Sequence, residues 1–139
     1  MSVETKYIKI KTKGDTDIID ITPKVSGALP ESKIKNGILT VFVPGSTAGI
    51  TTIEYEPGLL KDLPLALERL APRDIDYYHH LTWGDGNGHS HIRAALLGAS
   101  FTVPFVKGEM ILGTWQQIVL VDFDNRPRNR EVVIQIIGE

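Results

Sequence analysis

The last third of the chain is a series of apolar, β-branched segments separated by short polar turns. The segments cover residues 101–106, 110–123 and 130–137, and the turns are Lys107-Gly108 and Asp124–Pro127. Strands joined by such short connections pair antiparallel, because a parallel pair needs a crossover of about a dozen residues or more. The chain is therefore predicted to fold around an antiparallel sheet.

The first two thirds of the chain add further strands and the helices. Strands are predicted over residues 7–13, 18–21, 38–43 and 50–55 from alternating or continuous apolar runs. Helices are predicted from Thr22 to about Leu29, over Pro57–Leu70 with a kink or break at Pro64, and over Ser90–Leu97. The predicted class is α+β: a mostly antiparallel sheet or sandwich of about seven to eight strands with about two to three helices. A single domain over residues 1–139 is the simplest organisation.

The composition excludes several classes of function. Cysteine is absent, so any metal must be held by nitrogen and oxygen ligands. The formal net charge of −2 argues against a nucleic-acid partner bound by phosphate neutralisation. No apolar run approaches the roughly 18 residues of a transmembrane helix, and the N-terminus lacks the pattern of a secretory signal. We expect a cytoplasmic protein without a membrane partner.

All four histidines lie within residues 79–91, around a glycine-rich turn. His89 and His91 are two residues apart, so their side chains point the same way if the backbone there is extended. His80 precedes the turn and can fold back towards them. Imidazoles gathered in this way suit zinc or a similar divalent cation. The sequence therefore predicts a metal or catalytic site at His80, His89 and His91.

Two residues next to these three histidines are assigned different roles. Asp85 is predicted to be a metal ligand or a partner that fixes the tautomer of one imidazole. His79, next to His80, would point to the other side of a strand, and it is interpreted as structural or solvent-exposed.

The predicted start of the last helix provides a second feature at the same place. If Ser90 caps the helix, the free N–H groups of Ile92 and Arg93 form an anion site beside the histidines. That arrangement favours a metal bound together with a phosphate. The alternative is that Ser90 only caps the helix.

Three further groups of polar residues are candidates for a site, and the last two of them allow two interpretations each. Ser46 and Thr47 lie on a bend of small residues where backbone can approach a ligand. Glu54 and Glu56 share a strand face and either serve a divalent ion and proton transfer or are solvated. The third group has an arginine at every second position from 126 to 130. Those arginines either bind phosphate or form a charged turn.

Several of these segments occur together in one known family. They are Val43–Ile50, Tyr78–His80, Asn87–Gly98, Val103-Pro104, Leu112–Gln116 and Arg130–Glu139. The chain thereby resembles the YjbQ-like family, also called secondary thiamine-phosphate synthases. The resemblance implies a compact α+β fold, a homotrimer, and a metal-associated histidine site near a subunit boundary.

The resemblance also implies a reaction, in which a hydroxymethylpyrimidine diphosphate loses pyrophosphate as the nitrogen of a thiazole phosphate attacks. A divalent metal would stabilise the leaving charge, either zinc or a magnesium ion that accompanies the diphosphate. The roles of the side chains are hypotheses. Those assigned to phosphate binding are Ser46, Thr47, Ser90 and Arg130, and those assigned to catalysis are His80, His91, Asp85 and Glu54.

The chain departs from the family pattern at one position. Family members commonly have a histidine where this sequence has Gly45, and His89 is the additional histidine that could replace it as a ligand. Two alternatives to an enzyme therefore stay open. The chain is a non-catalytic trimer that binds a metal or a small phosphorylated ligand, or a structural domain whose histidines satisfy one another at an interface.

Overall fold

The computed structural model describes residues 1–139, which form eight strands and four helices. The strands are β1 (Ser2–Thr12), β2 (Asp17–Asp20), β3 (Gly37–Phe42), β4 (Ala48–Ile53), β5 (Ser100–Val106), β6 (Glu109–Met110), β7 (Gln117–Asp122) and β8 (Arg128–Gly138). The helices are α1 (Thr22–Ser26), α2 (Pro57–Leu70), α3 (Tyr78–Trp83) and α4 (Gly88–Leu97). No helix is long and apolar enough to span a membrane.

The strands form two sheets in which every neighbouring pair is antiparallel. The larger sheet has the order β1-β8-β3-β5-β6, and the smaller one has the order β2-β7-β4. The predicted α+β class with a mostly antiparallel sheet is confirmed. The short turn at Lys107-Gly108 joins the antiparallel pair β5–β6, as expected. The turn at Asp124–Pro127 instead leads from β7 in the smaller sheet to β8 in the larger one, so the expectation that these two segments pair was wrong.

The main core lies between the two sheets. It contains the inward side chains of both, such as Leu39 and Ile134 of the larger sheet and Leu120 of the smaller one. A second, smaller core lies on the other face of the smaller sheet, where Val119, Val121 and residues of α2 and α4 pack together. β7 is therefore buried on both faces, which explains why its sequence is a continuous apolar run.

The helices differ from the prediction in three places. α2 is one continuous helix despite Pro64, and its cap is Glu56, whose carboxylate accepts from the N–H groups of Gly58 and Leu59. α3 was not predicted, because His79 and His80 were treated as neighbours in a strand. α4 begins at Gly88 rather than at Ser90. A glycine is needed at that point because a Cβ atom there would lie 2.5 Å from Cβ of Tyr77.

The predicted strand over residues 110–123 is interrupted. β6 ends at Met110 and β7 begins at Gln117, and the residues between them form a loop. The loop is closed by the Gln116 side chain, which accepts from the Gly113 N–H and donates to the Thr52 hydroxyl. Trp115, which falls inside the predicted strand, lies on this loop and is exposed.

Candidate functional site

A polar cleft of about 390 Å³ opens where three segments of the chain meet. These are the bend between β3 and β4, the segment from α3 to the first turn of α4, and the start of β8. The cleft contains five of the residues predicted for the site: Ser46, Thr47, Asp85, His91 and Arg130. Five further residues complete its lining: Gly45, His79, Trp83, Asn87 and Arg128. We call this surface the polar cleft.

The floor of the polar cleft is built on two buried carboxylates. Asp122 ends β7, and Asp124 follows it by two residues; both are 0% exposed. Arg130 donates from Nε and Nη2 to the two carboxylate oxygens of Asp122, at 2.8 and 3.0 Å, and from Nη2 to the Thr47 hydroxyl at 2.7 Å. A guanidinium held by a two-pronged pair of this kind has a fixed orientation.

Asp124 links Arg128 to the segment that leads into α4. Nε of Arg128 donates to Oδ2 of Asp124 at 2.6 Å. The side-chain amide of Asn87 donates to Oδ1 of the same carboxylate at 3.3 Å. Asn87 immediately precedes α4, so one buried carboxylate positions both β8 and the start of α4.

The pKa values of both carboxyl groups are lowered. Burial by itself would raise the pKa of Asp122, but hydrogen bonds from Arg130 and Thr12 more than offset it. For Asp124, burial is likewise outweighed by hydrogen bonds from Arg128, the Asn125 N–H and Asn87. Both aspartates are therefore ionised at neutral pH, and each arginine keeps a negative partner below it.

Two imidazoles meet at the mouth of the polar cleft. The ring centroids of His79 and His91 are 4.3 Å apart. Nε2 of His79 also lies 3.1 Å from Oδ1 of Asn87 and 3.4 Å from a carboxylate oxygen of Asp85. Burial, followed by the charge of the neighbouring His79, lowers the pKa of His91. His91 is therefore neutral at pH 7 and has a free lone pair that can accept a proton or bind a cation.

The other two histidines lie outside the polar cleft. His80 packs its ring edge-on against Tyr77, at 5.5 Å between centroids, and its Nε2 accepts from the Gly88 N–H. His89 is in α4, where residues two apart are rotated by about 200° and point to opposite sides. The prediction that His89 and His91 share one face was wrong, because the backbone there is helical and not extended.

The residues present do not fit a zinc site within one chain. No group of three or more histidine and acidic side chains is close enough to hold a metal ion. The predicted set of His80, His89 and His91 is divided among three different surroundings. His79, which was interpreted as structural or solvent-exposed, is the histidine that lies beside His91 in the polar cleft.

Two further predicted residues are located elsewhere. Ser90 is inside α4 and does not cap it: its N–H donates to the Asn87 carbonyl, and its hydroxyl donates to the Phe123 carbonyl. It therefore offers no free N–H to a phosphate. Glu54 follows the last residue of β4, whereas the polar cleft lies beyond the first. A strand of six residues separates them by roughly 20 Å, so Glu54 takes no part in this site.

The buried aspartates and Asn87 were not identified as site residues from the sequence, and Arg128 was considered only as one of three arginines that either bind phosphate or form a charged turn. A signal for the aspartates was present, since Asp122 and Asp124 follow the most apolar strand directly. Carboxylates at such a position are buried and need cationic partners. The arginines at every second position of the next strand are the nearest candidates in the sequence.

The chain matches a known family over nearly its whole length. The family model described as UPF0047 protein YjbQ-like matches residues 6–139. A UPF0047 protein of Methanothermobacter thermautotrophicus is 44% identical over 139 residues, which are 100% of this chain and 95% of the relative. A UPF0047 protein of Methanocaldococcus jannaschii is 40% identical over 135 residues, covering 96% and 94% of the two chains.

Crystal structures of similar proteins have the same fold. A YbjQ-like protein of unknown function from Sulfolobus solfataricus P2 superposes with a TM-score of 0.89 at 33% identity, covering 99% of this chain and 100% of that one. A hypothetical protein from Aeropyrum pernix K1 gives a TM-score of 0.90 at 34% identity, covering 98% and 99%.

The lowered pKa values of Asp122 and Asp124 predict how stability depends on pH. A carboxyl group whose pKa is lower in the folded state stabilises the fold above its unfolded pKa, and this contribution is lost as the pH falls through the folded pKa. The melting temperature is therefore expected to fall steeply below about pH 4. Circular dichroism melts from neutral to acidic pH measure this.

The pH prediction has an internal control. The double variant Asp122→Asn/Arg130→Gln removes one lowered carboxyl group together with its partner, so its melting temperature should depend less steeply on acid. Asp74→Asn changes an exposed aspartate and should keep the wild-type slope. Equal slopes in the wild type and the double variant would contradict the assignment.

Proposed function

Because the chain belongs to the UPF0047 (YjbQ-like) family, we propose that the polar cleft binds the phosphate groups of a small molecule and that His79 and His91 transfer a proton there. The observation that carries the proposal is the fixed orientation of Arg130. Its Nε and Nη2 are held by Asp122 and Thr47. Its Nη1 faces residue 45, where an added Cβ atom would lie only 3.0 Å from it. Gly45 therefore leaves this N–H side open towards the cleft.

The charges of the polar cleft favour directed hydrogen bonds over bulk attraction. Arg128 and Arg130 are matched by Asp124 and Asp122, so the floor has little net charge. The two ion pairs fix the orientation of the arginine N–H donors before a ligand binds. Preorganised donors of this kind stabilise charge that develops during a reaction, because they do not have to reorient.

The proposed reaction is the one that the family resemblance implies, the formation of thiamine phosphate. The thiazole nitrogen attacks the methylene carbon of the pyrimidine, the carbon–oxygen bond to the diphosphate breaks, and pyrophosphate leaves with its electron pair. Arg128 and Arg130 would hold the leaving group. His79 and His91, whose ring centroids lie 4.3 Å apart, are the groups that could bring a proton to the leaving oxygen. That proton would pass to the pyrophosphate.

A divalent cation enters this proposal together with the diphosphate. Magnesium binds phosphate oxygens and keeps much of its water, so it requires few protein ligands. A resident zinc ion would require ligands that one chain does not bring together. The residues nearest to such a set are His79, His91 and Asp85.

A second candidate function is a homotrimer that binds a ligand without turning it over. The observation that favours an assembly is the exposure of α3, where Tyr78 and Leu81, three residues apart on one side of the helix, are 91 and 84% exposed. Neighbouring large apolar side chains left exposed in this way favour contact with another chain. The homotrimer is proposed to cover them with a second copy of the chain, next to the mouth of the polar cleft.

Synthesis of thiamine phosphate from the two phosphorylated precursors tests the first candidate. His91→Gln is expected to lower kcat by about 100-fold or more, because it removes the proton-transfer group. Arg128→Gln is expected to raise KM about 10-fold by removing one charged donor. Arg126→Gln changes an exposed arginine of the same turn and should leave both constants unchanged.

The outcomes of this assay separate the two candidates. Product formation that responds to His91 and Arg128 supports the enzyme. Calorimetric binding of pyrophosphate with magnesium, weakened by Arg128→Gln but without product, supports the non-catalytic ligand-binding protein. Absence of both would contradict the phosphate cleft itself, provided that thermal melts show each variant to be folded.

The metal expectation is tested by adding the imidazole that the family pattern has at position 45. Both Gly45 and His91 line the polar cleft, so Gly45→His adds a third nitrogen ligand beside His79 and His91. Zinc retained after dialysis, measured by elemental analysis, should rise in Gly45→His and fall again in Gly45→His/His91→Ala. Equal zinc in the wild type and Gly45→His would place residue 45 outside any metal site.

The trimer is tested by sedimentation equilibrium. The wild type should have a mass three times the 15.4 kDa of one chain. Leu81→Asp places a charge on the proposed contact surface and should give smaller species, because a buried unpaired charge is costly. Leu70→Asp changes an exposed leucine of α2 and should remain trimeric. A monomeric wild type, or a trimeric Leu81→Asp, would contradict the proposed contact.

A further inference from the structure

A second cleft of about 310 Å³ lies on the opposite side of α4 from the polar cleft. It is formed by α2, α4 and the turn between β1 and β2. Five charged or titratable side chains line it: Asp15, Glu68, Arg73, His89 and Arg93. Its volume is at the lower end of small-molecule pockets, which begin at about 300 Å³. We call it the second cleft.

The charges of the second cleft are balanced and held in place. Arg93 is 5% exposed and donates to the Ala71 carbonyl, the Thr16 hydroxyl and the Glu68 carboxylate, at 3.0, 3.0 and 2.6 Å. Arg73 forms an ion pair with Asp15 at 2.5 Å. Two cations and two carboxylates therefore stand at the same opening, with positive and negative groups on separate side chains.

The turn that closes one side of the second cleft has an unfavourable backbone. Asp15 and Thr16 have φ angles of 51° and 63°, in the left-handed region. Consecutive non-glycine residues rarely adopt this conformation, and a β-branched threonine is especially disfavoured. Such strain persists only where the surroundings impose it, and it concentrates at functional sites. Here the surroundings are Arg73 and Arg93, the same two arginines that face the cleft.

His89 contributes an unpartnered acceptor to the second cleft. It is 2% exposed. The single hydroxyl proton of Ser90 goes to the Phe123 carbonyl, so Ser90 Oγ can only accept from Nε2 of His89, at 3.4 Å. Nε2 therefore carries the proton, and Nδ1 has a lone pair. Nδ1 is the one buried side-chain polar atom of the chain without a hydrogen-bond partner, a condition that native structures rarely tolerate without a reason.

We propose that the second cleft binds a small zwitterion of the α-amino-acid class. Its carboxylate would pair with Arg73 and Arg93, and its ammonium group would donate to Glu68, Asp15 and the free Nδ1 of His89. A simple anion would meet two carboxylates and a simple cation two guanidinium groups, whereas a zwitterion matches both pairs of charges. Pro64 and Leu65 at the rim provide apolar contact for a short side chain.

The first test compares ligands that differ by one charged group. The probes are L-alanine, with glycine, L-serine and L-valine as its neighbours in size, and propionate and ethylamine, which lack the ammonium and the carboxylate. Titration calorimetry on the full chain should detect binding of at least one of the amino acids. The two alanine fragments should bind at least tenfold more weakly than the best of them. Amide shifts in a nitrogen–proton NMR spectrum should cluster at residues 15–16, 64–73 and 89–93.

The second test uses variants of the cleft and a matched control. His89→Leu should abolish the binding while leaving the melting temperature unchanged or higher, because it removes an acceptor that has no protein partner. Arg73→Gln, at a partly exposed position, should weaken binding at least tenfold. Arg69→Gln changes an exposed arginine of the same region that does not line the cleft and should bind normally.

The results that overturn the inference are distinct from failure of the proposed phosphate chemistry. The inference is wrong if none of the four amino acids binds, if propionate or ethylamine binds as well as they do, or if His89→Leu and Arg73→Gln bind normally. It is also wrong if the NMR shifts appear at His91 and Arg130. None of these results depends on turnover in the polar cleft.

Discussion

The pairing of two buried aspartates with two arginines at the end of β7 is the interaction on which the polar cleft depends. Asp122 and Asp124 are fully enclosed, and a buried charge is tolerated only when it is paired and hydrogen-bonded. Arg130 and Arg128 fulfil that requirement from β8, while Thr47 and Asn87 connect the same carboxylates to the β3–β4 bend and to α4. Three separate segments of the chain are thereby brought to one point, which is where the cleft opens.

The fold class could be predicted well because it follows from periodicity, although the short β7–β8 connection joins the two sheets and does not form a hairpin. Continuous apolar runs such as residues 118–121 indicate strands buried on both faces, and β7 indeed has cores on both sides. Interruptions are harder to predict, because they depend on contacts from distant residues. The loop that ends at Gln116 is held by Thr52, 64 positions earlier. Pro64 did not break α2. The helix is packed against β7 through Leu67, and tertiary packing can override the low helix propensity of proline.

The sequence drew attention to the region of the polar cleft, but it could not predict which side chains meet there. Of the four histidines around the glycine turn, His91 lies in the polar cleft with Arg130, and His79 lies beside it. The error came from assuming an extended backbone. In a strand, residues two apart lie on the same side, which would place His89 beside His91, whereas in a helix they lie on opposite sides. Because of this helical rotation, α4 separates the polar cleft from the second cleft. His91 faces one cleft and His89 the other, so one short segment of sequence supplies two different chemical environments.

Gly45 shows how a single missing side chain changes the chemistry of the polar cleft. A Cβ atom at this position would approach Nη1 of Arg130 to 3.0 Å, and Arg130 has little freedom to withdraw because Asp122 and Thr47 hold its other nitrogens. Where the family pattern has an imidazole, this chain has a guanidinium edge with free N–H donors. An imidazole lone pair suits a cation, whereas guanidinium N–H groups suit an oxyanion. The glycine at position 45 is therefore consistent with the proposed phosphate cleft, and the histidine that the resemblance implies there would suit the metal alternative.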